Sequence, residues 1–417
     1  MPDALTLAPT AAAPPPRSLA ARLRASRRAF TGRSLLLVLP LLLLLLVGFI
    51  TPIGALLGKS VENPEVANAL PKTLALLGQW EGTEVPGEAV FSAFADDLRE
   101  ARGNGQLFAL NRRLGYESNS LRSIPTAVLS RLPARGEPLR EHLLSGVPAL
   151  AEVATWATLK RLGTPYTSLY WLQAFDLKQD AGGIHYVGPG KALYLDVLAR
   201  SLAIAASVTL LCVLLGYPLA YWLSRQPPRR ANLLLIMVLL PFWTSLIVRT
   251  ASWIVLLQSG GLINDSLIAL GILAKPLALV FNRTGVLISM THILLPFLIL
   301  PLYAVMKGID PRYEHAAISL GAHPLTAFRR VYLPQTYAGI TAGALLVFIM
   351  AIGYYITPAL LGGPGDQMIS YFVAYYTNTV INWGMATALG SQLLVIVLLL
   401  YWVYAKVARP ATERTTP

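Results

Sequence analysis

The chain has 417 residues, of which 55% are hydrophobic and only 13% are charged, about half of the roughly 25% charged share of typical soluble domains. This composition excludes a soluble domain, which needs more charge to cover its surface, and a disordered chain, which is poor in apolar residues. It indicates an integral membrane protein, although the net charge of +13 leaves a nucleic-acid partner to be examined.

The first elements in chain order are a basic tail and an apolar helix. Residues 1–33 form the tail, and residues 34–58 form an apolar run. A secretory signal peptide has an apolar region of only 7–15 residues. Because this run is longer and no clear small-residue cleavage site closes it, we expect an uncleaved transmembrane helix.

Residues 59–195 form a polar insert with equal numbers of basic and acidic residues. Three of its segments, at 87–102, 121–132 and 139–162, are rich in Ala, Leu, Glu and Arg and are separated by Gly and Pro. This pattern favours helices. We therefore predict a mostly helical periplasmic domain.

Five further apolar runs are long enough to cross a bilayer, which requires about 20 residues. They lie at 196–224, 231–257, 284–307, 337–361 and 383–405, and residues 408–417 form a second tail. The predicted fold is an all-α membrane protein with six transmembrane helices.

The positive charge is concentrated in alternate segments between these helices. Basic residues cluster at 17–33, 225–230, 307–330 and 406–414, whereas the short loops on the other side carry few. By the positive-inside rule, both termini are cytoplasmic and the insert lies outside. Topology thus accounts for nearly all of the net charge, which excludes nucleic acid as a partner.

Motifs of catalysis and metal binding do not stand out. We find no phosphate-binding G-x-x-x-x-G-K-[ST] loop and no serine–histidine or kinase signature. The five histidines lack metal-ligand spacing, and the single cysteine, Cys212, cannot form an intrachain disulfide. We expect neither enzymatic activity nor a metal or cofactor in this chain.

Arg249 is the clearest charge within a predicted span, where charges are costly and often functional. It could line a transport route, or it could be structural and pair with a backbone carbonyl. Gly339 and Gly343 form a G-x-x-x-G pattern that permits close helix approach, within the bundle or between subunits.

The segment from Asp310 to Pro334 is too long for a plain connector. Asp310-Pro311 is a good helix start, and Glu314–Leu320 would continue that helix. Gly321 can end it with a positive φ. Pro324 then opens a second short helix, which we expect to end at Leu333-Pro334.

This segment resembles the EAA loop of ABC importer permeases, E-A-A-x-x-x-G followed after nine residues by I-x-L-P. The matching positions are Ala316, Ala317, Gly321, Val331, Leu333 and Pro334. At the position of the glutamate stands His315, with Glu314 one residue earlier, so either side chain could make the polar contact of that glutamate.

The resemblance extends over residues 196–405, through strings such as "LLGYPLAYWLSR" and "GYYITPALLGGP", which are similar to permeases of the spermidine/putrescine type. It implies a five-helix type I importer core at 196–407 with a coupling loop at 310–334. The helix at 34–58 is then an accessory helix. The insert is not covered by the resemblance.

The resemblance also implies partners in the bacterial inner membrane and on both sides of it. A periplasmic solute-binding protein delivers substrate, and a cytoplasmic ATPase dimer, which binds ATP and magnesium, drives transport. A second permease subunit completes the route; it would be paralogous, or alternatively a second copy.

The resemblance implies an importer for polyamines such as spermidine and putrescine, or for a related small amino compound. The alternative substrates are those of related permeases, which carry opines, 4-aminobutyrate, aminoalkylphosphonates or iron. A polyamine route would need acids and aromatic faces, and the candidate pathway residues are Trp243, Arg249, Trp253, Tyr354, Tyr355, Asp366 and Trp383. Arg249 favours an anionic group on the substrate. A membrane receptor with a ligand-binding ectodomain and a gated channel are the rival classes.

Overall fold

The computed structural model describes residues 36–132, 138–180 and 183–407. The two tails predicted to be cytoplasmic lie outside these residues. Six of the described helices are long and apolar enough to cross a membrane, as predicted. The chain divides into two compact units, Met1–Gly58 and Lys59–Pro417.

In the first unit, helix α1 (Leu36–Gly58) is the first span. Its middle, Leu46–Ile50, is a π-helical turn. The Thr51 hydroxyl donates to the carbonyl of Leu46, five residues earlier, at 2.9 Å. The backbone hydrogen bonds of a π-helix have the same five-residue spacing.

In the second unit, the described part of the insert is mostly helical, as predicted. Its helices are α2 (Pro64–Ala69), α3 (Pro71–Gly78), α4 (Glu88–Gly103), α5 (Leu107–Glu117), α6 (Asn119–Ser130), α7 (Leu139–Gly146), α8 (Val153–Leu162) and α9 (Leu169–Ala174). They enclose a core in which the Trp156 ring packs against Phe91 and Phe94, with centroids 4.8 and 5.5 Å away. A two-stranded antiparallel hairpin, β1 (Leu177–Asp180) and β2 (Gly183–Tyr186), was not predicted.

A buried polar network closes the insert. The Arg113 Nε donates to the Asn63 Oδ1 at 2.6 Å, and the Asn63 amide donates to the carbonyls of Leu162 and Thr164. Arg113 and Arg161 both pair with the carboxylate of Glu117, at 3.4 and 2.9 Å. The start of the insert is therefore tied to the end of helix α8.

The remaining helices form the transmembrane part. They are α10 (Tyr194–Ser224), α11 (Pro228–Leu239), α12 (Leu246–Leu257), α13 (Leu262–Ala269), α14 (Arg283–Lys307), α15 (Arg312–Ser319), α16 (Pro324–Ala327), α17 (Leu333–Ile352), α18 (Ile356–Leu361), α19 (Ile369–Asn378) and α20 (Trp383–Val407).

Helices α10, α14 and α17 pack closely, and glycines allow this. At Gly216 of α10, an added Cβ would come within 2.7 Å of the Leu298 side chain, and at Gly343 of α17 within 3.1 Å of the Leu298 carbonyl oxygen. Gly339 meets the backbone of Leu302 in the same way. The G-x-x-x-G pattern thus serves packing within this bundle.

The third span differs from the predicted continuous helix at 231–257. Helix α11 tightens into a 3-10 turn at Leu240–Trp243 and stops at Thr244, whose backbone is extended (φ −95°, ψ 146°). Pro241 lies in that turn, and proline lacks the amide donor that a continuing helix needs. The apolar stretch long enough to span is Leu246–Ala269.

The fifth span also differs from the prediction of one helix at 337–361. Helix α17 ends at Gly353, and α18 begins anew after Tyr355. Pro358, three residues into α18, has no amide to bond back to an earlier turn. Thr250 of α12 and Thr357 of α18 have hydroxyl oxygens 3.4 Å apart, so the helices that follow the two breaks pack together.

The insert is packed against the transmembrane part. Tyr170 and Ala174 of α9 are buried with residues of α10, α19 and α20. The Asp176 carboxylate accepts hydrogen bonds from the amides of Leu193, Tyr194 and Leu195, at 2.8–3.1 Å. It thereby satisfies donors that the start of α10 leaves free, and it does so from a left-handed backbone (φ 53°).

Candidate coupling and transport sites

The segment at 310–334 begins with the predicted helix–glycine turn. The Asp310 Oδ1 accepts from the Arg312 amide at 2.9 Å before α15. Gly321 has a φ of +90°, which confirms the predicted positive angle. The amides of Gly321 and Ala322 donate to the carbonyls of Ile318 and Ala317 at 2.9 and 3.0 Å, a glycine-terminated helix end.

The end of this segment corrects the prediction that Leu333-Pro334 stops a helix. Helix α16 continues through a π-helical turn at Phe328–Tyr332 directly into α17. Pro334 is tolerated because it lies at the start of α17, just after the π turn, where the hydrogen-bonding register changes and its missing donor costs little.

Helix α15 is exposed along its length, since it contains no buried residue. Ala316 is exposed and Ala317 half-buried, and Leu320 just beyond the helix is 89% exposed. Because the alanine side chains are small, another protein can approach the backbone of this helix closely and pack against the exposed Leu320. Leu333 is half-buried and Pro334 exposed.

Glu314 and His315, the two candidates for the polar contact, differ in their surroundings. The Glu314 carboxylate accepts from the Arg225 Nη2 at 2.5 Å, and its side chain is 14% exposed. His315 is exposed. Glu314 is therefore engaged within this chain, and His315 faces outward.

Arg225 belongs to a cluster of six residues that we call the arginine clamp: Tyr221, Arg225, Lys307, Glu314, Phe328 and Tyr332. The Arg225 guanidinium lies 4.9 Å from the Tyr221 ring and 5.4 Å from the Tyr332 ring. Phe328 stacks on Tyr332 at 5.7 Å. Burial lowers the pKa of Arg225, but the hydrogen bond to Glu314 and the electrostatic effects of Tyr221, Glu314 and Tyr332 together outweigh it, so the pKa is raised.

Lys307 completes the arginine clamp from the end of α14. Its Nζ donates to the carbonyls of Ser224 and Gln226, at 3.3 and 3.2 Å. Those carbonyls flank Arg225 in sequence. The sequence analysis did not single out Tyr221, Arg225, Phe328 or Tyr332 as site residues. One signal was available, because Arg225 follows Tyr221 by four residues at the end of a predicted span, and residues at this spacing on a helix are neighbours.

Arg249 is satisfied within its own broken span. Its Nη2 donates to the carbonyls of Pro241 and of Thr244, the latter at 2.9 Å, and its Nε donates to the Thr244 hydroxyl at 3.3 Å. These carbonyls belong to the break between α11 and α12. The guanidinium thus stabilises the break, which matches the structural interpretation of Arg249, with partners that lie just before α12 in the same chain segment.

Asp366 is also engaged. It is 8% exposed, pairs with the Arg283 Nε at 3.0 Å, and accepts from the Gly363 amide at 3.2 Å. Nearby, Arg200 donates to the carbonyls of Gly365 and Gln367 at 2.7 and 3.0 Å. The Asp366 charge is therefore balanced by the protein itself.

The predicted aromatic residues are only partly brought together. Trp253 and Tyr354 pack against the same apolar core, and the Trp253 Nε1 donates to the His292 Nδ1 at 3.3 Å. Tyr355 lies in the break after α17. Trp243 is 89% exposed and Trp383 46% exposed. No structural finding assigns these side chains to a route.

A cavity of about 430 Å³ lies between the insert and the transmembrane part. The hydroxyls of Tyr194 and Tyr376 are hydrogen-bonded at 2.5 Å on its wall. Tyr116 also lines this cavity, and burial raises the pKa of its phenol.

Among the described residues, no group of three or more His, Cys, Asp or Glu side chains could hold a metal ion.

The chain matches known proteins over its transmembrane part. Residues 213–411 match the family described as "binding-protein-dependent transport system inner membrane component". The spermidine/putrescine transport system permease protein PotB of Haemophilus influenzae is 37% identical over 220 residues, 53% of this chain and 77% of that protein. PotB of Escherichia coli is 34% identical over 217 residues, 52% of this chain and 79% of that protein.

The chain belongs to the family of inner-membrane components of binding-protein-dependent transport systems. It is a transport permease subunit and a multi-pass inner-membrane protein. Among solved structures, a bacterial alginate ABC transporter in complex with an alginate-bound periplasmic protein matches with 17% identity and a TM-score of 0.42, over 52% of this chain and 78% of that one.

Proposed function

We propose that this permease is one of two membrane subunits of an ATP-driven importer for spermidine, putrescine or a related small amine. The observation that carries the substrate class is the similarity to two PotB proteins at 34–37% identity over half of the chain. Helix α15 is the surface that a cytoplasmic ATPase would contact, because it is exposed and ends in a fixed glycine turn.

In this proposal ATP and magnesium bind to the ATPase dimer, and a periplasmic binding protein delivers the amine on the side of the insert. The second membrane subunit is a paralogous permease. Both termini and α15 are cytoplasmic. Closure of the ATPases moves α15, and the spans alternate between outward-open and inward-open states.

An anionic substrate is less well supported than the sequence suggested. Arg249 favoured a carboxylate or phosphonate, but its guanidinium is committed to backbone carbonyls. Asp366, the predicted acid for a polyamine, is likewise committed to Arg283. Recognition of the amine would then depend on aromatic faces and on the second subunit.

The test is uptake by the complete importer, made from this permease and the ATPase, second permease and binding protein encoded beside it, in a host without its own polyamine importers. We expect uptake of labelled putrescine or spermidine that requires both ATP and the binding protein. Uptake of 4-aminobutyrate, an opine, an aminoalkylphosphonate or iron, with no polyamine uptake, would refute the substrate class.

A further inference from the structure

We propose that Arg225 is a positioning residue that fixes helix α15 to the end of α10, so that movement of α15 passes directly to the second span. This inference rests on the proposed function, in which α15 receives the motion of the ATPase. It adds a second mechanical connection to the covalent one, which runs from α15 through α16 into α17.

The first step is that Glu314 provides the lateral attachment of α15. Arg312 of α15 pairs with Asp310, which lies just before the helix. Apart from that pair, the 2.5 Å contact between Glu314 and Arg225 is, among the described residues, the only hydrogen bond or ion pair that a side chain of α15 makes outside the helix. Arg225 directly follows Ser224, the last residue of α10. The ion pair thus joins segments 89 residues apart.

The second step is that Arg225 is itself held in place. Its planar guanidinium faces the rings of Tyr221 and Tyr332, and Lys307 binds the carbonyls on both sides of it. A lysine at 225 could carry the charge but could not reproduce the planar contact with two rings and a carboxylate. The position therefore requires arginine specifically.

The third step is that α15 has few other attachments. It contains no buried residue, and the backbone beyond it turns at Gly321 through a positive φ. Helix α15 also packs on α16 and on the π-helical turn at Phe328–Tyr332, both of which follow it directly in the chain. Loss of the ion pair would let α15 move without moving α10.

The consequence is that one motion reaches two helices of the central bundle. Helices α10 and α17 both pack on α14. Movement of α15 reaches the end of α10 through the arginine clamp. It reaches α17 through the covalent chain, by way of α16 and the π-helical turn. Coupling of ATP hydrolysis to transport, rather than ATP hydrolysis itself, is what the ion pair supports.

The experiment uses the complete importer in proteoliposomes and measures substrate uptake and ATP hydrolysis together, with subunit assembly checked by co-purification. Arg225→Gln and Glu314→Gln should each lower uptake about 10-fold, within the range of coupling energies for contacting residues, and should lower ATP hydrolysis less. The double variant should be no worse than either single one. Arg225→Lys should remain impaired, because lysine keeps the charge but not the planar guanidinium.

Arg229→Gln is the matched control, because Arg229 lies in the same basic segment, is exposed and makes no side-chain hydrogen bond, ion pair or ring contact among the described residues. It should transport like wild type. Additive losses in the double variant, or an equal loss in Arg229→Gln, would overturn the inference. Wild-type protein without ATP-driven uptake of any substrate would instead refute the proposed function.

A second measurement does not depend on loss of function. The variants Arg225→Cys and Glu314→Cys are combined and joined by a flexible cross-linker long enough to replace the two removed side chains, while Cys212 is buried. If the two positions move together, cross-linking should restore uptake relative to the unlinked double-cysteine variant. If they separate during transport, cross-linking should abolish the residual uptake, and the inference would be wrong.

Discussion

The ring of Tyr170, in helix α9 of the insert, lies directly on the backbone of Gly384 in the second residue of the last span. A Cβ at position 384 would overlap three carbons of that ring. Tyr170 is 3% exposed. The insert is therefore fixed to the start of α20 by a contact that only glycine permits, and Asp176 fixes it to the start of α10.

The Tyr170–Gly384 contact predicts that Gly384→Ala destabilises the permease. Overpacking a filled site typically costs about 1–3 kcal/mol, and thermal unfolding of purified protein in detergent would show it as a lower Tm. Gly390→Ala is the control in the same helix, because nothing lies within 4 Å of its added Cβ. An unchanged Tm for Gly384→Ala would contradict this packing.

The Asp176 cap predicts a similar effect at the start of α10. Asp176→Ala removes the acceptor of three backbone amides, and loss of a helix cap costs about 0.5–2 kcal/mol. Asp176→Asn keeps one oxygen and tolerates the left-handed backbone, so its Tm should lie between those of alanine and wild type. Equal Tm values for the three proteins would rule out the cap.

Gly321 predicts a loss of coupling rather than of membrane insertion. Gly321→Pro removes an amide donor and cannot adopt a φ of +90°, so uptake and stimulated ATP hydrolysis should both fall to background. Gly321→Ala should retain part of the activity, since a left-handed non-glycine residue costs about 1–3 kcal/mol. Gly308→Ala, at a φ of −82°, should behave as wild type. Normal uptake by Gly321→Pro would refute the role of this turn.

Arg249 predicts a loss without substrate preference. Arg249→Gln leaves the carbonyls of Pro241 and Thr244 without their partner, and a backbone group without a partner within the membrane is costly. We expect reduced membrane yield and an equal fractional loss of polyamine and aminocarboxylate uptake at matched expression. Arg249→Lys should be nearly as impaired. A selective loss for the aminocarboxylate would assign Arg249 to the transport route.

The topology prediction can be tested with introduced cysteines, because the native Cys212 is buried. Ser145 in the insert and Ser319 in α15 are both exposed. A membrane-impermeant maleimide should label Ser145→Cys in cells with a permeable outer membrane and an intact inner membrane. It should label Ser319→Cys only after the inner membrane is opened. The reverse pattern would invert the proposed orientation.

The number of spans, the helical insert and the glycine turn at 321 could all be predicted from the sequence. Hydropathy, helix propensity and the need for a positive φ are local properties, and each is recorded in a few consecutive residues. The helix–glycine–helix frame at 310–334 could be read in the same way. Its last step could not, because a π-helical turn at Phe328–Tyr332 depends on how the chain enters the bundle.

Tertiary structure decided where the spans break and what their charges do. Hydropathy is the same for a continuous helix and for the pair α11 and α12, and a proline such as Pro241 can kink a helix without ending it. The stop at Thr244 therefore followed only from the tertiary structure, in which Arg249 binds the freed carbonyls. The partner of Glu314 lies 89 residues away, and Tyr170 contacts Gly384 across about half of the chain. Such pairs follow from packing, because only the folded bundle brings distant residues within contact distance.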